Sequence, residues 1–270
     1  MFMEWVYSFV GNKPWKVTVL MAGVHGNEPT WIETLQLFRE FCQIDGWIVH
    51  IIFANIQAIQ ESKRYIDVNM NRYFQEWNSW DTYEIKRIEE ILPYLHDADF
   101  LLDIHNTERE NTEAFLLSSH SEVYKLFPVE KIINNIDDFE QWWSDGFMDR
   151  NWKVWICFEA GSFLGWLSID EMQKIIHNFL IWTGNIDWEV VYIAWNQIIL
   201  ETTFQYIAQT DHCELITWFG DFTFLTVWTV IGKDWENIIS APHDWYIFFA
   251  HQKGKIGKEM FCFAKICAWK

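Results

Sequence analysis

The sequence predicts an α/β fold, a mostly parallel or mixed sheet covered by helices, followed by a smaller all-β carboxyl-terminal domain. Over about the first two thirds of the chain, short β-branched or apolar runs alternate with stretches of helical period, which is typical of a sheet with helices packed on it. After Thr183-Gly184-Asn185 the sequence changes to short aromatic and β-branched segments separated by Gly, Asp and Pro. We therefore expect a first domain over residues 1–184 and a β-rich domain over residues 185–270.

Individual elements follow from the same patterns. Ser168 with Glu171 three residues later has the pattern of a capping box, which marks the start of a helix. In the first domain the sequence predicts strands over 16–22, 47–55, 100–105, 114–118 and 153–159, and helices over 30–42, 82–95 and 169–182. In the second domain the predicted β segments, arranged as a small barrel or sandwich, are 190–200, 222–230, 245–250 and 260–266.

Length and composition limit the class of protein. The chain has 270 residues, half of them hydrophobic, which is enough to bury a large core. No window reaches the roughly 18 apolar residues that a membrane span needs, so none is expected. The amino terminus carries Glu4 and lacks the basic start of a secretory signal, and the five cysteines are an odd number. These features predict a cytoplasmic protein with reduced thiols.

The charge balance excludes one class of partner. With 38 acidic and 20 basic residues the net charge is −18, which repels a polyphosphate, so nucleic acid is not an expected partner. An anionic substrate would need a metal ion and a few arginines close by, because screening limits each charge to about 10 Å. Some of the 19 tryptophans are expected to mark the interface of a homo-oligomer.

The segment that points most directly to chemistry is Ala22-Gly23-Val24-His25-Gly26-Asn27-Glu28-Pro29, where a predicted strand ends and a predicted helix begins. Ligands of open α/β sheets bind at the carboxyl ends of strands. His25 and Glu28, three residues apart on a tight turn, can direct an imidazole and a carboxylate to one point. The alternative for Glu28 is a carboxylate that favours a helix amino terminus.

A third ligand is expected at the end of another strand. His105 ends the predicted strand that begins at Phe100. Two histidines and one glutamate are a recognised set for a catalytic zinc ion that keeps its fourth position for water. Each histidine alone is more often a hydrogen-bonded core or surface residue, but the three positions together predict one zinc ion per chain.

Two arginines lie in the segment Arg64-Tyr65-Ile66-Asp67-Val68-Asn69-Met70-Asn71-Arg72, between the second strand and the next helix. Their planar guanidinium groups, together with an asparagine amide, can bind carboxylates. An acidic protein therefore places cations where an anionic substrate would require them. The alternative is a surface ion pair of Arg72 with Glu76 at helical spacing.

Glu159 lies at the end of an apolar strand, in the segment Phe158-Glu159-Ala160-Gly161. A carboxylate at such a strand end can lie over the water of a metal site and act as its general base. The alternatives are an acid at a helix start and a charge solvated at the rim of the sheet.

These segments together resemble the succinylglutamate desuccinylase and aspartoacylase family, a branch of the zinc carboxypeptidase-like hydrolases. The family's pattern runs H-G-N-E, an arginine followed by D-x-D-L-N-R, a strand ending in D-x-H, then E-x-G and a β-rich carboxyl-terminal domain. The matching residues, in the same order, are His25-Gly26-Asn27-Glu28, Arg64 with Asp67 and Asn71-Arg72, Asp103-Ile104-His105 and Glu159-Ala160-Gly161, and then Gly232 and the stretch Ala241 to Tyr246.

Two departures from the family's pattern bear on activity. Asn69 stands where the family has the second aspartate of D-x-D-L-N-R, and Met70 where it has leucine. The further carboxylate-binding arginine of the aspartoacylases has no match, since Arg150 has the wrong spacing. The resemblance therefore leaves the acyl group and the amino acid of the substrate open.

The resemblance implies hydrolysis of the amide bond of a small anionic N-acyl amino acid. The alternatives are a zinc carboxypeptidase acting on peptides and a metal-binding homologue that does not catalyse. The roles implied are zinc ligation by His25, Glu28 and His105, general base catalysis by Glu159, oxyanion stabilisation by Arg64 with the zinc ion, and substrate binding by Asn71, Arg72 and Tyr246.

Overall fold

The computed structural model of the chain describes residues 5–13, 16–107, 112–162, 167–193 and 196–267. The helices are α1 (Pro29–Phe41), α2 (Ile56–Glu61), α3 (Tyr83–Asp97), α4 (Ser144–Arg150) and α5 (Ile169–Trp182), with short 3-10 turns at Met70–Arg72, Ser121–Leu126 and Ile136–Asp138. The strands are β1 (Val6–Val10), β2 (Val17–Ala22), β3 (Ile48–Phe53), β4 (Phe100–Thr107), β5 (Phe115–Leu117), β6 (Lys131–Asn134), β7 (Val154–Ser162), β8 (Ile198–Ile207), β9 (Cys213–Leu215), β10 (Thr223–Leu225), β11 (Val230–Asp234), β12 (Asn237–Ser240), β13 (Trp245–Phe248) and β14 (Glu259–Ile266).

The chain forms two compact units. The first contains Met1–Glu130 and Glu140–Asn196, and the second contains Lys131–Phe139 and Gln197–Lys270. The second unit thus takes a short segment, with β6, from the middle of the first. The predicted domain boundary at residue 184 stays a prediction. The compact units differ from it at two places: residues 131–139 belong to the second unit, and residues 185–196 belong to the first.

The first unit is built on a mixed sheet with a parallel centre. Its strand order is β1-β3-β2-β4-β7-β5. The pairs β3–β2, β2–β4 and β4–β7 are parallel, whereas β1 and β5 pair antiparallel at the two ends of this series. The predicted mostly parallel or mixed sheet is confirmed. Because β2, β4 and β7 run in the same direction, their carboxyl ends meet at one edge of the sheet.

The helices of the first unit cover both faces of this sheet. Trp31 of α1 packs its ring against Phe158 of β7, with the ring centroids 5.7 Å apart. Ser144 of α4 instead bonds to Asp103, whose register partner on β7 is Cys157. Since neighbouring residues of a strand point to opposite faces, α1 and α4 lie on opposite sides of the sheet. Burial on both faces explains why β2 and β4 read as continuous apolar runs.

The second unit is all-β apart from a 3-10 turn. One series of strands has the order β6-β8-β14-β13-β10, and a separate three-stranded sheet has the order β12-β11-β9. The pair β6–β8 is parallel and the other pairs are antiparallel. Its apolar core includes Ile231, Ile247 and Phe261, all at most 1% exposed. The predicted smaller all-β region is confirmed in its fold class.

Two predicted β segments are shorter than expected. Of segment 190–200, only the last residues are in β8, which begins at Ile198, and residues 194–195 lie outside the described part. Segment 222–230 is divided, because a turn at residues 226–229 separates β10 from β11. Trp228 has a φ of 68° in this turn, and the hydroxyls of Thr226 and Thr229 lie 3.1 Å apart across it. The sequence did not indicate this turn, because residues 222–230 are aromatic, aliphatic or threonine and include no Gly or Asn at the left-handed position of Trp228.

Among the described residues, every helix is too short or too polar to span a bilayer.

Candidate metal centre

The loop after β2 brings His25 and Glu28 together. Gly23 has a φ of +73°, which favours glycine, and the chain then passes so close to α2 that a Cβ on Gly26 would lie 2.1 Å from the carbonyl carbon of Ala58. The resulting tight turn places His25 Nδ1 2.8 Å from Glu28 Oε1. Gly23 and Gly26 are thus required by the path of the backbone.

His105 reaches the same point from the neighbouring strand. β2 and β4 pair in parallel, with Ala22 opposite Ile104, so the loop after β2 and the end of β4 are adjacent. His105 Nδ1 lies 3.2 Å from Glu28 Oε2, the oxygen that does not contact His25. One ligand atom from each of His25, Glu28 and His105 lies within 4.8 Å of the others, and all three residues are buried. The structure therefore brings the three predicted ligands together.

Burial and mutual charge determine the protonation of this cluster. Burial alone would raise the pKa of Glu28, but the charges of His105 and His25 lower it to about 2. For His25, burial outweighs the attraction of Glu28 and lowers the pKa. For His105, burial is outweighed by Asp103 and Glu28, which raise its pKa well above the ordinary value. Glu28 is therefore ionised at neutral pH and balanced by a positively charged His105.

The residues present fit a zinc ion. Two imidazole nitrogens and a carboxylate oxygen are ligands that zinc accepts in open catalytic sites with three protein ligands. Glu28 Oε2 and His105 Nε2 are buried without a well-aligned hydrogen bond among the described residues. A buried carboxylate oxygen without such a bond is unfavourable unless a cation neutralises it, and a divalent ion meets that need.

Glu159 and Arg64 lie next to the cluster. Glu159 on β7 is the register partner of His105 on β4, so the two side chains project from the same face of the sheet. Arg64 is half-buried, its carbonyl oxygen accepts a hydrogen bond from Gly26 N at 3.3 Å, and its charge helps to lower the pKa of His25. Both residues are placed near the three ligands, as expected, while their roles remain proposals.

The segment with Asn69, Asn71 and Arg72 begins at the same cluster. Asn69 Oδ1 lies 3.1 Å from His25 Nε2 and also accepts a hydrogen bond from Asn71 N at 3.0 Å. Arg72 Nη1 donates to Asn71 O at 2.7 Å, and its Nε lies 4.0 Å from Glu140 Oε2. Glu76, which the sequence offered as an alternative partner of Arg72, contacts His96 at 2.8 Å.

Glu84 is a structural residue of the site that the sequence did not reveal. It is fully buried in the first turn of α3, and its carboxylate oxygens accept hydrogen bonds from the backbone N–H groups of Ile66, Asp67 and Val68 at 2.6 to 3.4 Å. Oε1 also accepts from Asn55 Nδ2 at 3.1 Å. Glu84 thus fixes the segment between Arg64 and Arg72. Its role is visible only from its contacts with residues 66–68, because in the sequence Glu84 is simply an acidic residue near the start of a predicted helix.

Comparison with known proteins agrees with this geometry. Residues 14–129 match the succinylglutamate desuccinylase/aspartoacylase catalytic domain. Succinylglutamate desuccinylase from Vibrio cholerae superposes with a TM-score of 0.79 over 97% of this chain and 85% of that chain, at 17% identity. The fold is therefore shared over nearly the whole length.

This chain therefore resembles the succinylglutamate desuccinylase/aspartoacylase family in sequence over residues 14–129 and in its fold.

Two relatives of known or assigned activity match parts of the chain. A probable aspartoacylase from Trichodesmium erythraeum is 34% identical over 100 residues, or 33% of this chain and 34% of that protein. An N-acyl-aromatic-L-amino acid amidohydrolase (carboxylate-forming) from Xenopus laevis is 29% identical over 123 residues, or 39% of each chain. These sequence matches thus span little more than a third of each of the two relatives.

Three residues bear on how far this chain follows the family's pattern. Asn69, in place of an aspartate, keeps an oxygen toward His25 and Asn71 but carries no charge. Arg150 donates to Phe74 O at 2.9 Å and therefore holds the backbone after Arg72. Tyr246 lies on β13 in the second unit, half-buried with its ring centroid 5.2 Å from that of Phe224. Its approach to the site stays a prediction.

Replacing Glu84 with Gln should destabilise the protein by roughly 2–3 kcal/mol, because an amide donor would then face the backbone N–H groups that the carboxylate now binds. Glu89→Gln on the same helix is a matched control, since Glu89 is exposed and its loss should change the free energy of unfolding little. Urea denaturation of both variants measures the difference. Equal stability of the two would show that Glu84 does not anchor the segment.

Zinc affinity should rise with pH. The raised pKa of His105 means that its ring holds a proton at neutral pH in metal-free protein, and a metal must displace it. Below that pKa the affinity should increase about tenfold per pH unit, whereas His25, with its lowered pKa, contributes little. Chelator-treated protein titrated with zinc from about pH 6 to 7 would measure this slope. A pH-independent affinity would mean that His105 is not a ligand.

Proposed function

We propose that this protein is a zinc-dependent amidohydrolase that removes the acyl group from N-acyl amino acids. The observation that carries the proposal is the buried group of His25, Glu28 and His105, with ligand atoms within 4.8 Å, at the carboxyl ends of neighbouring parallel strands. The register of Glu159 beside His105 supports a hydrolytic role for the site.

The relatives support the substrate class. One is an N-acyl-aromatic-L-amino acid amidohydrolase and another a probable aspartoacylase, while the structural neighbour is a succinylglutamate desuccinylase. These names share an amide bond between an acyl group and the amino group of an amino acid, and they differ in both parts. The proposal accordingly names the bond and leaves the side chain of the amino acid to experiment.

Bound zinc would supply a Lewis acid that polarises the amide carbonyl and makes water more acidic at neutral pH. Glu159 is proposed to accept a proton from the attacking water on its carboxylate and to pass it to the leaving nitrogen. Its place on β7 suits this role because the strand runs parallel to β4 and faces the same side as His105. Arg64, near His25, would stabilise the negative charge that develops on the carbonyl oxygen.

The substrate carboxylate is proposed to bind at Asn71 and Arg72. Both residues lie in the segment that Glu84 anchors, so their donors are held in place before substrate arrives. In a chain with a net charge of −18, such fixed donors and the metal would give the site its attraction for an anion. Arg72 is half-buried and lies 5.3 Å from the centre of the Trp143 ring, which limits its freedom.

The first test is hydrolysis by zinc-loaded protein. N-acetyl-L-aspartate, N-acetyl-L-phenylalanine and N-succinyl-L-glutamate cover the three relatives, and we expect release of a primary amine from at least one. Peptides with a free carboxyl terminus serve as the comparison, because preferred cleavage of these would indicate a carboxypeptidase instead. Protein that binds zinc but hydrolyses none of these compounds would be a non-catalytic homologue.

Glu159→Gln separates the general base from the ligands. The amide keeps the size of the side chain but accepts no proton, so turnover should fall roughly 10²- to 10⁴-fold while one zinc ion per chain is retained. Glu28→Gln is the matched comparison, since loss of a ligand should remove the metal as well. Zinc content and the rate of amine release are measured for both. Near-normal turnover in folded, zinc-loaded Glu159→Gln protein would refute the mechanism.

A further inference from the structure

Ser144 contacts the two halves of the site at once. Its hydroxyl donates to Asp103 Oδ2, and the same Asp103 oxygen lies 3.2 Å from His105 Nε2. Its backbone N–H donates to Asn71 Oδ1 at 3.2 Å. Ser144, Asp103 and His105 are at most 2% exposed, and Asn71 is 6% exposed. One residue thus bonds both to the carboxylate behind a proposed zinc ligand and to a proposed substrate-binding amide.

The hydroxyl bond restrains the orientation of His105. Asp103 Oδ1 is buried without a hydrogen bond among the described residues, so the carboxylate is held through Oδ2. Without Ser144, Asp103 could rotate about its side-chain bonds and move Oδ2 away from His105 Nε2. Carboxylates behind metal-binding histidines commonly fix the ring and increase its basicity. Ser144 therefore acts on His105 through Asp103.

The N–H bond fixes the direction of the Asn71 amide. An N–H group must face an oxygen, so Asn71 turns Oδ1 toward Ser144 and directs Nδ2 elsewhere. Nδ2 is the atom that can donate to a carboxylate. The adjacent Trp143 packs its ring 5.3 Å from the Arg72 guanidinium, so the start of α4 contacts both proposed anion-binding residues.

We propose that Ser144 is a positioning residue that couples the proposed zinc ligand His105 to the carboxylate-binding segment Asn71–Arg72. This inference rests on the proposed function in one respect, that Asn71 and Arg72 bind the carboxylate of the substrate. The effect of Ser144 on His105 is inferred only from the contacts of Ser144 with Asp103 and of Asp103 with His105.

Two substitutions separate the two contacts. Ser144→Ala removes the hydroxyl and keeps the N–H, whereas Ser144→Pro removes both. Proline suits this position, because Ser144 is the first residue of α4 and the preceding Trp143 is extended, with φ −77° and ψ 167°. Ser144→Thr restores the hydroxyl. Ser168→Ala, at the start of α5, is a control that loses a helix cap away from the contacts of Ser144.

Zinc affinity, measured against a competing chelator without substrate, should fall about tenfold in Ser144→Ala and Ser144→Pro. Ser144→Thr should recover most of the loss, and Ser168→Ala should bind zinc normally. In addition, KM should rise roughly 3- to 10-fold in Ser144→Pro relative to Ser144→Ala, because only the former loses the bond to Asn71. All variants are first checked for folding by circular dichroism.

Unchanged zinc affinity in folded Ser144→Ala protein would overturn the coupling at His105. Equal KM values for Ser144→Ala and Ser144→Pro would overturn the coupling at Asn71. If wild-type protein binds zinc but hydrolyses no acyl amino acid, the proposed function fails, whereas the chelator titration still decides the role of Ser144 at His105.

Discussion

The site depends on a buried negative charge, that of Glu28, which is held between two imidazoles. An ionised carboxylate that is 1% exposed would be too costly to bury without opposite charge close to it. His105 at 3.2 Å supplies that charge, and the ring of His25 contacts the carboxylate at 2.8 Å from a different strand end. The parallel pairing of β2 with β4 is therefore the constraint on which the site depends, because it brings these residues to the same edge of the sheet.

A second buried carboxylate, Glu84, organises the adjoining loop by a different means. Glu28 is balanced by titratable rings, whereas Glu84 is surrounded by backbone N–H groups and an amide. The geometry of this part of the site is therefore set by hydrogen bonds to the backbone and not by a partner of opposite charge. In the proposed function the two carboxylates would differ in the same way: Glu28 would bind the metal, whereas Glu84 would hold the donors for a substrate anion in a fixed geometry.

Much of the site could be predicted because it depends on strand ends and short turns. The sequence placed His25, Glu28 and His105 at the ends of two strands, and a parallel sheet then brings such ends together. Glu84 and Ser144 could not be predicted in the same way. Their roles arise from contacts between distant segments, and a buried Glu or Ser has no local pattern that distinguishes it from an exposed one.

The fold shows the same limit. The parallel centre of the first sheet follows from apolar runs buried on both faces, and the structure confirms it. The second unit was predicted only in its class. Its segment Lys131–Phe139 lies between elements of the first unit in the sequence, and neither hydrophobic period nor composition indicates which sheet a four-residue strand joins.

The assignment of Lys131–Phe139 to the second unit affects how the chain folds during its synthesis. During synthesis from the amino terminus, the apolar Ile132 and Ile133 of β6 leave the ribosome well before β8, their parallel partner from Ile198 onward, has been translated. A nascent chain that has completed the loops with His25, Glu28 and His105 therefore still carries an unpaired strand edge, which is a site for wrong pairing with other chains. The second unit can close only near the end of translation, so slow elongation late in the message would lengthen the period of greatest risk of aggregation.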